Sequence, residues 1–263
     1  MFENIILGFV QGITEWIPVG SKGLIFLIEK KFFHAQGFEE IIEKALFLHL
    51  GTFFAALIYF RKDVCQIFKT LFSYQKQSAE DQKLFTFLFI STLISGFLGI
   101  ILVKTIEHLL IKFDAAGNLI TIIVGALLLI TAYLQIKTKT PGTKKIKDLK
   151  ILDGIILGFA QGFAALPGLS RSGLTMSTLL LRQFDKKDTL KLSFLMSLPI
   201  VLAGNIVLNL KGFCWSMEMW AGLVTSFIVG LLTIHLFLKM AEKINFGYFL
   251  IVMGIIIISS AFI

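Results

Sequence analysis

The chain has 263 residues, 56% of them hydrophobic and only 16% charged, with several apolar stretches near or above the roughly 20 residues needed to cross a bilayer. A soluble globular domain is therefore excluded. The net charge of +8 does not point to nucleic acid, because the basic residues collect between apolar stretches, where anionic headgroups and the insertion bias account for them.

The first apolar run, residues 2 to 17, has no basic region before it and contains Gln11, Thr14 and Glu15, so the N-terminus is expected to remain in the mature protein. Gln11 and Glu15 are four residues apart and share one helical face. Pro18, Gly20 and Gly23 break this helix, and Leu24 to Ile28 is too short to cross, so residues 2 to 30 are predicted to form a re-entrant helix-loop-helix. Full spans are predicted at about 41 to 60, 84 to 103 and 118 to 136. Between the last two, Ile106, Leu109, Leu110 and Phe113 fall on one face, which suits a short interfacial helix from Lys104 to Phe113.

Residues 137 to 150 form a polar, lysine-rich linker, and the sequence after it repeats the sequence before it. Ile6-Leu-Gly-Phe-Val-Gln-Gly12 matches Ile156-Leu-Gly-Phe-Ala-Gln-Gly162 at six of seven positions, and Pro18-Val-Gly-Ser-Lys22 matches Pro167-Gly-Leu-Ser-Arg171 in its proline, serine and cation. Gln11 and Gln161 are also open to a plain structural reading, hydrogen bonding between packed helices. The second half is predicted as a re-entrant pair at 151 to 183 followed by spans near 189 to 210, 217 to 239 and 246 to 263.

Three spans per half make the repeat inverted. The expected fold is an all-α integral membrane protein with an inverted-topology repeat, each half (1 to 136 and 151 to 263) a re-entrant pair plus three transmembrane helices. On one side of this topology lie 17 Lys/Arg and on the other six, which puts the linker in the cytoplasm and both termini outside. Cys65 and Cys214 then fall on opposite sides, excluding a disulfide framework, and His34, His49, His108 and His235 lack metal-ligand spacing.

The densest chemistry is in Leu166-Pro-Gly-Leu-Ser-Arg-Ser-Gly-Leu-Thr-Met176. Pro167 and Gly168 break a helix, a serine caps the next one, and Arg171 falls at the break instead of at a membrane edge. Ser170, Ser172, the free backbone N–H groups near Gly173 and the Arg171 fork make a phosphate site. The two loops enter from opposite faces, so their tips are expected to meet near the midplane, bringing Gln11, Glu15, Ser21 and Lys22 beside Ser170, Arg171 and Ser172. Lys22 adds a second cation for phosphate. Ser21 is open to two readings, nucleophile or helix cap; Glu15 to three, base, divalent-cation ligand or ion-pair partner of Arg171.

At these residues the sequence resembles the undecaprenyl-diphosphate phosphatase family, often called BacA or UppP, over nearly the whole chain. Gln11-Gly-Ile-Thr-Glu15-Trp-Ile-Pro-Val resembles its (E/Q)xxxE motif, His49-Leu-Gly-Thr and Phe60-Arg-Lys-Asp its first full span, Pro167-Gly-Leu-Ser-Arg171-Ser-Gly-Leu-Thr its PGxSRSGxT motif, and Ser193-Phe-Leu its block ahead of Pro199. The resemblance implies hydrolysis of a polyprenyl diphosphate to the monophosphate in the bacterial inner membrane. That reaction recycles the lipid carrier of peptidoglycan and confers bacitracin resistance. It also implies Mg2+ or Ca2+, Gln11 and Glu15 in the acidic motif, Ser21 as nucleophile and Arg171 as phosphate ligand, in a monomer or homodimer.

Where the family reads Pro-Val-Ser-Ser-x-Gly-His, this chain has Pro18-Val-Gly20-Ser21-Lys22-Gly23-Leu24, so the histidine at that place is missing. His49 is the candidate substitute, against the plain reading of a hydrogen-bonded histidine in an apolar helix. A different class of function, a transporter or flippase of a phosphorylated lipid, fits the inverted repeat and the lost histidine. An inactive scaffold does not fit the presence of Glu15, Ser21 and Arg171.

Overall fold

The computed structural model describes residues 1–33, 38–112, 117–138, 142–166, 168–209 and 216–262; Pro167, His34, Lys211 and Cys214 lie outside them. Among the described residues there are eleven α-helices and no sheet. In chain order these are α1 (Phe2–Thr14), α2 (Ser21–Phe32), α3 (Phe38–Tyr59), α4 (Arg61–Phe72), α5 (Ala79–Lys112), α6 (Gly117–Lys137), α7 (Ile151–Phe163), α8 (Arg171–Leu181), α9 (Lys186–Asn209), α10 (Met217–Lys243) and α11 (Gly247–Ser259).

Helices α5, α9 and α10 contain segments long and apolar enough to cross a membrane. Helix α3 joins them if taken with α4, from which it is bent by 84°. Described apolar segments of α6, α7 and α11 are shorter, between 10 and 17 residues. Many large apolar side chains on these helices face outward, among them Phe97, Leu232, Leu236 and Ile255, as expected of surfaces solvated by lipid.

Two parts of the chain differ from the sequence reading. The separate helix expected at Lys104 to Phe113 is, as far as Lys112, the continuation of α5, because nothing in Leu102-Val-Lys-Thr-Ile106 breaks a helix; the side chains from Ile106 to Phe113 lie outside the description. The basic stretch after Phe60 contains α4, with Phe68, Leu71 and Phe72 exposed beside Lys69, an amphipathic pattern suited to a membrane surface. The linker is also anchored where it is described. Ile146 and Leu149 are buried, and Lys144 and Phe184 form a short parallel bridge.

The helix pairs follow a pattern. Helix α1 packs along α10 and α7 along α5; α3 touches both α9 and α10, while α9 touches α3 and α5; α6 packs along α11. Exchanging each first-half helix for its counterpart (α1 with α7, α3 with α9, α5 with α10, α6 with α11) maps this set of pairs onto itself. Small residues carry the closest pair, with Gly8 and Gly12 of α1 against Gly222 and Gly230 of α10. The largest buried cluster lies between α3, α5, α8, α9 and α10 and takes in Trp16, whose ring sits 5.6 Å from that of Phe194. Trp16 anchors the chain just after α1, next to Glu15.

Both breaks are turned by glycine. Gly20 and Gly168 have φ of 77° and 95°, values that side-chain-bearing residues rarely adopt. A Cβ at Gly168 would also lie 2.3 Å from the Val124 carbonyl oxygen of α6. Gly168→Ala is therefore expected to destabilise the protein by about 2 kcal/mol or more, read as a lower thermal unfolding midpoint of the purified protein in detergent.

Candidate active site

The two breaks meet. A Cβ at Gly20 would be 3.5 Å from Cβ of Ser170, and the carboxylate of Glu15, just past α1, is ion-paired through Oε1 with Nη2 of Arg171, the first residue of α8. Both side chains are largely enclosed, at 7% and 13% exposure. A buried charge is stable only with its partner, so this pair ties one half of the chain to the other.

The other oxygen of Glu15 collects three neighbours. Gln11 Nε2 donates to Oε2 at 2.9 Å from one turn earlier in α1, Ser21 Oγ donates to it at 3.0 Å, and His49 Nε2 lies 3.2 Å away. Ser21 Oγ is also 3.3 Å from His49 Nε2. His49 comes from α3 and is itself held by its Nδ1, which sits 2.6 Å from the Ala45 carbonyl one turn earlier. Thr52, one turn further along α3, accepts from Gln11 Nε2 at 3.3 Å.

Matching positions of the two halves carry different duties. Ser170 is the N-cap of α8, and its Oγ accepts from the Gly173 N–H at 3.2 Å. That hydroxyl and that amide are thus committed to each other, and Ser172 Oγ stands 3.4 Å from Ser170 Oγ. Ser21 is not a cap: Gly20 takes the N-cap place of α2, which leaves the Ser21 hydroxyl to Glu15 and His49. The glutamines diverge likewise, Gln11 reaching the Glu15 carboxylate while Gln161 donates to Ser95 Oγ at 3.0 Å, a helix-to-helix bond. Lys22, partly buried, lies in the electrostatic reach of Glu15 and Arg171 but makes no hydrogen bond or ion pair among the described residues.

Some site residues were not singled out from the sequence. Arg171 Nη1 donates to the Ser193 carbonyl at 3.4 Å, and the Ser193 hydroxyl is 2.7 Å from Thr175 Oγ1, so α9 orients the arginine together with α8. The resemblance marked the Ser193 block without giving it a task. Thr52 closes the His49-Leu-Gly-Thr block that the resemblance marked without giving it a task; it also bonds its own backbone at the His49 carbonyl, as a threonine in an apolar helix ordinarily does.

The residues do not fit a resident Mg2+ or Ca2+ ion. Such an ion takes about six oxygen ligands, whereas here a single carboxylate has both oxygens engaged and stands beside two cations. Among the described residues no group of three or more His, Cys, Asp or Glu side chains is gathered to hold a metal.

These features define a multi-pass membrane protein with a polar, charge-paired site enclosed where its two halves meet. The family described as Bacitracin resistance protein BacA matches residues 4–258, and the chain belongs to it. It is similar to the undecaprenyl-diphosphatase of Methanococcoides burtonii, 39% identical over 264 residues that cover 99% of this chain and 98% of the relative. The undecaprenyl-diphosphatase of Methanothrix thermoacetophila is 32% identical over 257 residues, covering 97% and 94%. Undecaprenyl-diphosphatase 2 of Halalkalibacterium halodurans is 31% identical over 274 residues, covering 98% and 95%.

Glu15→Ala is expected to lower stability by about 3 kcal/mol, because it leaves the Arg171 guanidinium enclosed without its counter-charge. The double variant Glu15→Ala/Arg171→Ala is expected to regain part of that loss, measured as the difference between their unfolding midpoints.

Proposed function

We propose that this protein is an undecaprenyl-diphosphatase, which hydrolyses the terminal phosphate from a polyprenyl diphosphate and so confers bacitracin resistance. The observation that carries this reading is the enclosed group of Glu15, Ser21, His49 and Arg171, in a chain that matches relatives of that name over 94% to 98% of their length. A guanidinium fork, a nearby ammonium and a hydroxyl held by a carboxylate are the parts that phosphoryl transfer needs: charge to hold the phosphate oxygens and a positioned nucleophile.

Arg171 is paired with Glu15. An entering diphosphate competes for the guanidinium, and Lys22 supplies a second positive charge. The start of α8 at Arg171 adds the positive end of a helix. Ser21 attacks the terminal phosphorus. Glu15 orients that hydroxyl and keeps the arginine in place between turnovers. A divalent cation bound to the diphosphate would neutralise some of its charge.

We place this site within an inverted repeat of two halves, each a re-entrant pair with three spans. The symmetric exchange of helix partners and the meeting of the two breaks support that arrangement. The linker lies in the cytoplasm and both termini outside, in the cell membrane, an orientation supported by the excess of Lys and Arg on the linker side. A second reading, movement of a phosphorylated lipid without hydrolysis, is favoured by a cavity of about 310 Å3 beneath the first break, lined by Pro18, Gln135, Lys186, Lys243 and Tyr248.

Inorganic phosphate release from undecaprenyl diphosphate by the purified protein separates the two readings. Arg171→Ala is expected to lower the rate on the order of a hundredfold or more. Lipid flux across vesicles with no phosphate release would establish transport instead. EDTA is expected to lower phosphate release while leaving the unfolding midpoint of lipid-free protein unchanged. A midpoint raised by Mg2+ without lipid would mean that the protein itself holds the ion.

A further inference from the structure

We infer that His49 is the proton acceptor for Ser21, and that it supplies from α3 the imidazole that Leu24 cannot; the inference rests on the phosphatase reading above. Its basis is the tautomer. The Nδ1 of His49 lies 2.6 Å from the Ala45 carbonyl, an oxygen that can only accept, so Nδ1 carries the proton. In the neutral ring Nε2 then bears the lone pair, and it faces the Ser21 hydroxyl at 3.3 Å. The ring is 5% exposed, and a backbone carbonyl fixes its rotation, so the lone pair has no other orientation to adopt.

Glu15 is the competing acceptor, at 3.0 Å from Ser21 Oγ. Its negative charge is engaged by Arg171 and it accepts from Gln11 as well, so its lone pairs are already committed. Its Oε2 is nevertheless 3.2 Å from Nε2, placed to hold the imidazolium once the proton has moved. A purely structural histidine is accounted for by the Ala45 bond and an ion pair from Nε2 to Glu15. The Ser21 hydroxyl at the same nitrogen is what such a role leaves unexplained.

Ser21 Oγ bonds to the terminal phosphorus as its proton passes to Nε2, and the bond from that phosphorus to the bridging oxygen breaks, its electron pair leaving on the lipid monophosphate. The imidazolium gives its proton to the departing monophosphate. The neutral ring next accepts a proton from the water that attacks the phosphoserine, and returns it to Ser21 Oγ as the serine–phosphorus bond breaks and inorganic phosphate leaves.

The test uses two isosteres. In His49→Asn the amide nitrogen takes the place of Nδ1 and keeps the donor to Ala45, while nothing remains at Nε2; in His49→Gln the amide reaches the Nε2 place but cannot shuttle a proton. Phosphate release from undecaprenyl diphosphate is measured for both, with wild type, Arg171→Ala and Ser21→Ala alongside and with unfolding midpoints recorded. Both His49 variants are expected to lose kcat by about a hundredfold or more with KM changed only a few-fold. The double variant Ser21→Ala/His49→Asn is expected to be no slower than Ser21→Ala alone, since the two residues act as a unit. Wild-type turnover in a folded His49→Asn variant, or a further loss in the double variant, would overturn the assignment. If wild type itself releases no phosphate, the phosphatase reading fails; if wild type is active, Arg171→Ala is inactive and His49→Asn is normal, only the role of His49 fails.

Discussion

The ion pair between Glu15 and Arg171 is the interaction on which the rest of this structure depends. Two opposite charges far apart in sequence are enclosed together at the breaks of two helices, where neither would be tolerated alone. Their attraction fixes how the halves of the chain meet. It also means that the site is held ready by its own charges: the arginine that would grip a phosphate is kept in position by a carboxylate that a phosphate can displace.

Around that pair, duplication has been put to unequal use. The two halves supply matching glutamines, breaks, serines and cations, yet one serine caps a helix while the other is held by a carboxylate beside an imidazole. The cause is a shift of one residue in where the helix begins. Helix α8 starts after its serine, so the hydroxyl is consumed by the Gly173 amide; α2 starts at its serine because Gly20, in a left-handed conformation, takes the capping place. Gly20 is therefore part of the turn that presents Ser21.

The same economy governs the surroundings. Trp16 buried against Phe194 seats the chain next to Glu15, and Thr175 with Ser193 sets the arginine from α9. None of these groups carries chemistry. They restrict the rotamers of those that do, which is how an enclosed site holds its geometry.

The sequence by itself determined the helical membrane class, through apolar runs that only helices can satisfy in lipid, and the family, through the Gln11 and Arg171 motifs. It also brought Gln11, Glu15, Ser21 and Arg171 under suspicion, because charged and hydroxyl groups inside apolar runs are costly unless they pair. The tertiary structure alone decided which pairings are made. That Ser21 is no cap, that Ser170 is one, that α5 runs on to Lys112 and that α4 turns 84° from α3 depend on where helices begin and bend, which propensity fixes only to within a few residues. His49 was visible as a lone imidazole in an apolar helix. Its meaning arises only when α3 packs beside the break after α1 and the Ala45 carbonyl settles which nitrogen faces the serine, a distance that no spacing in the sequence encodes.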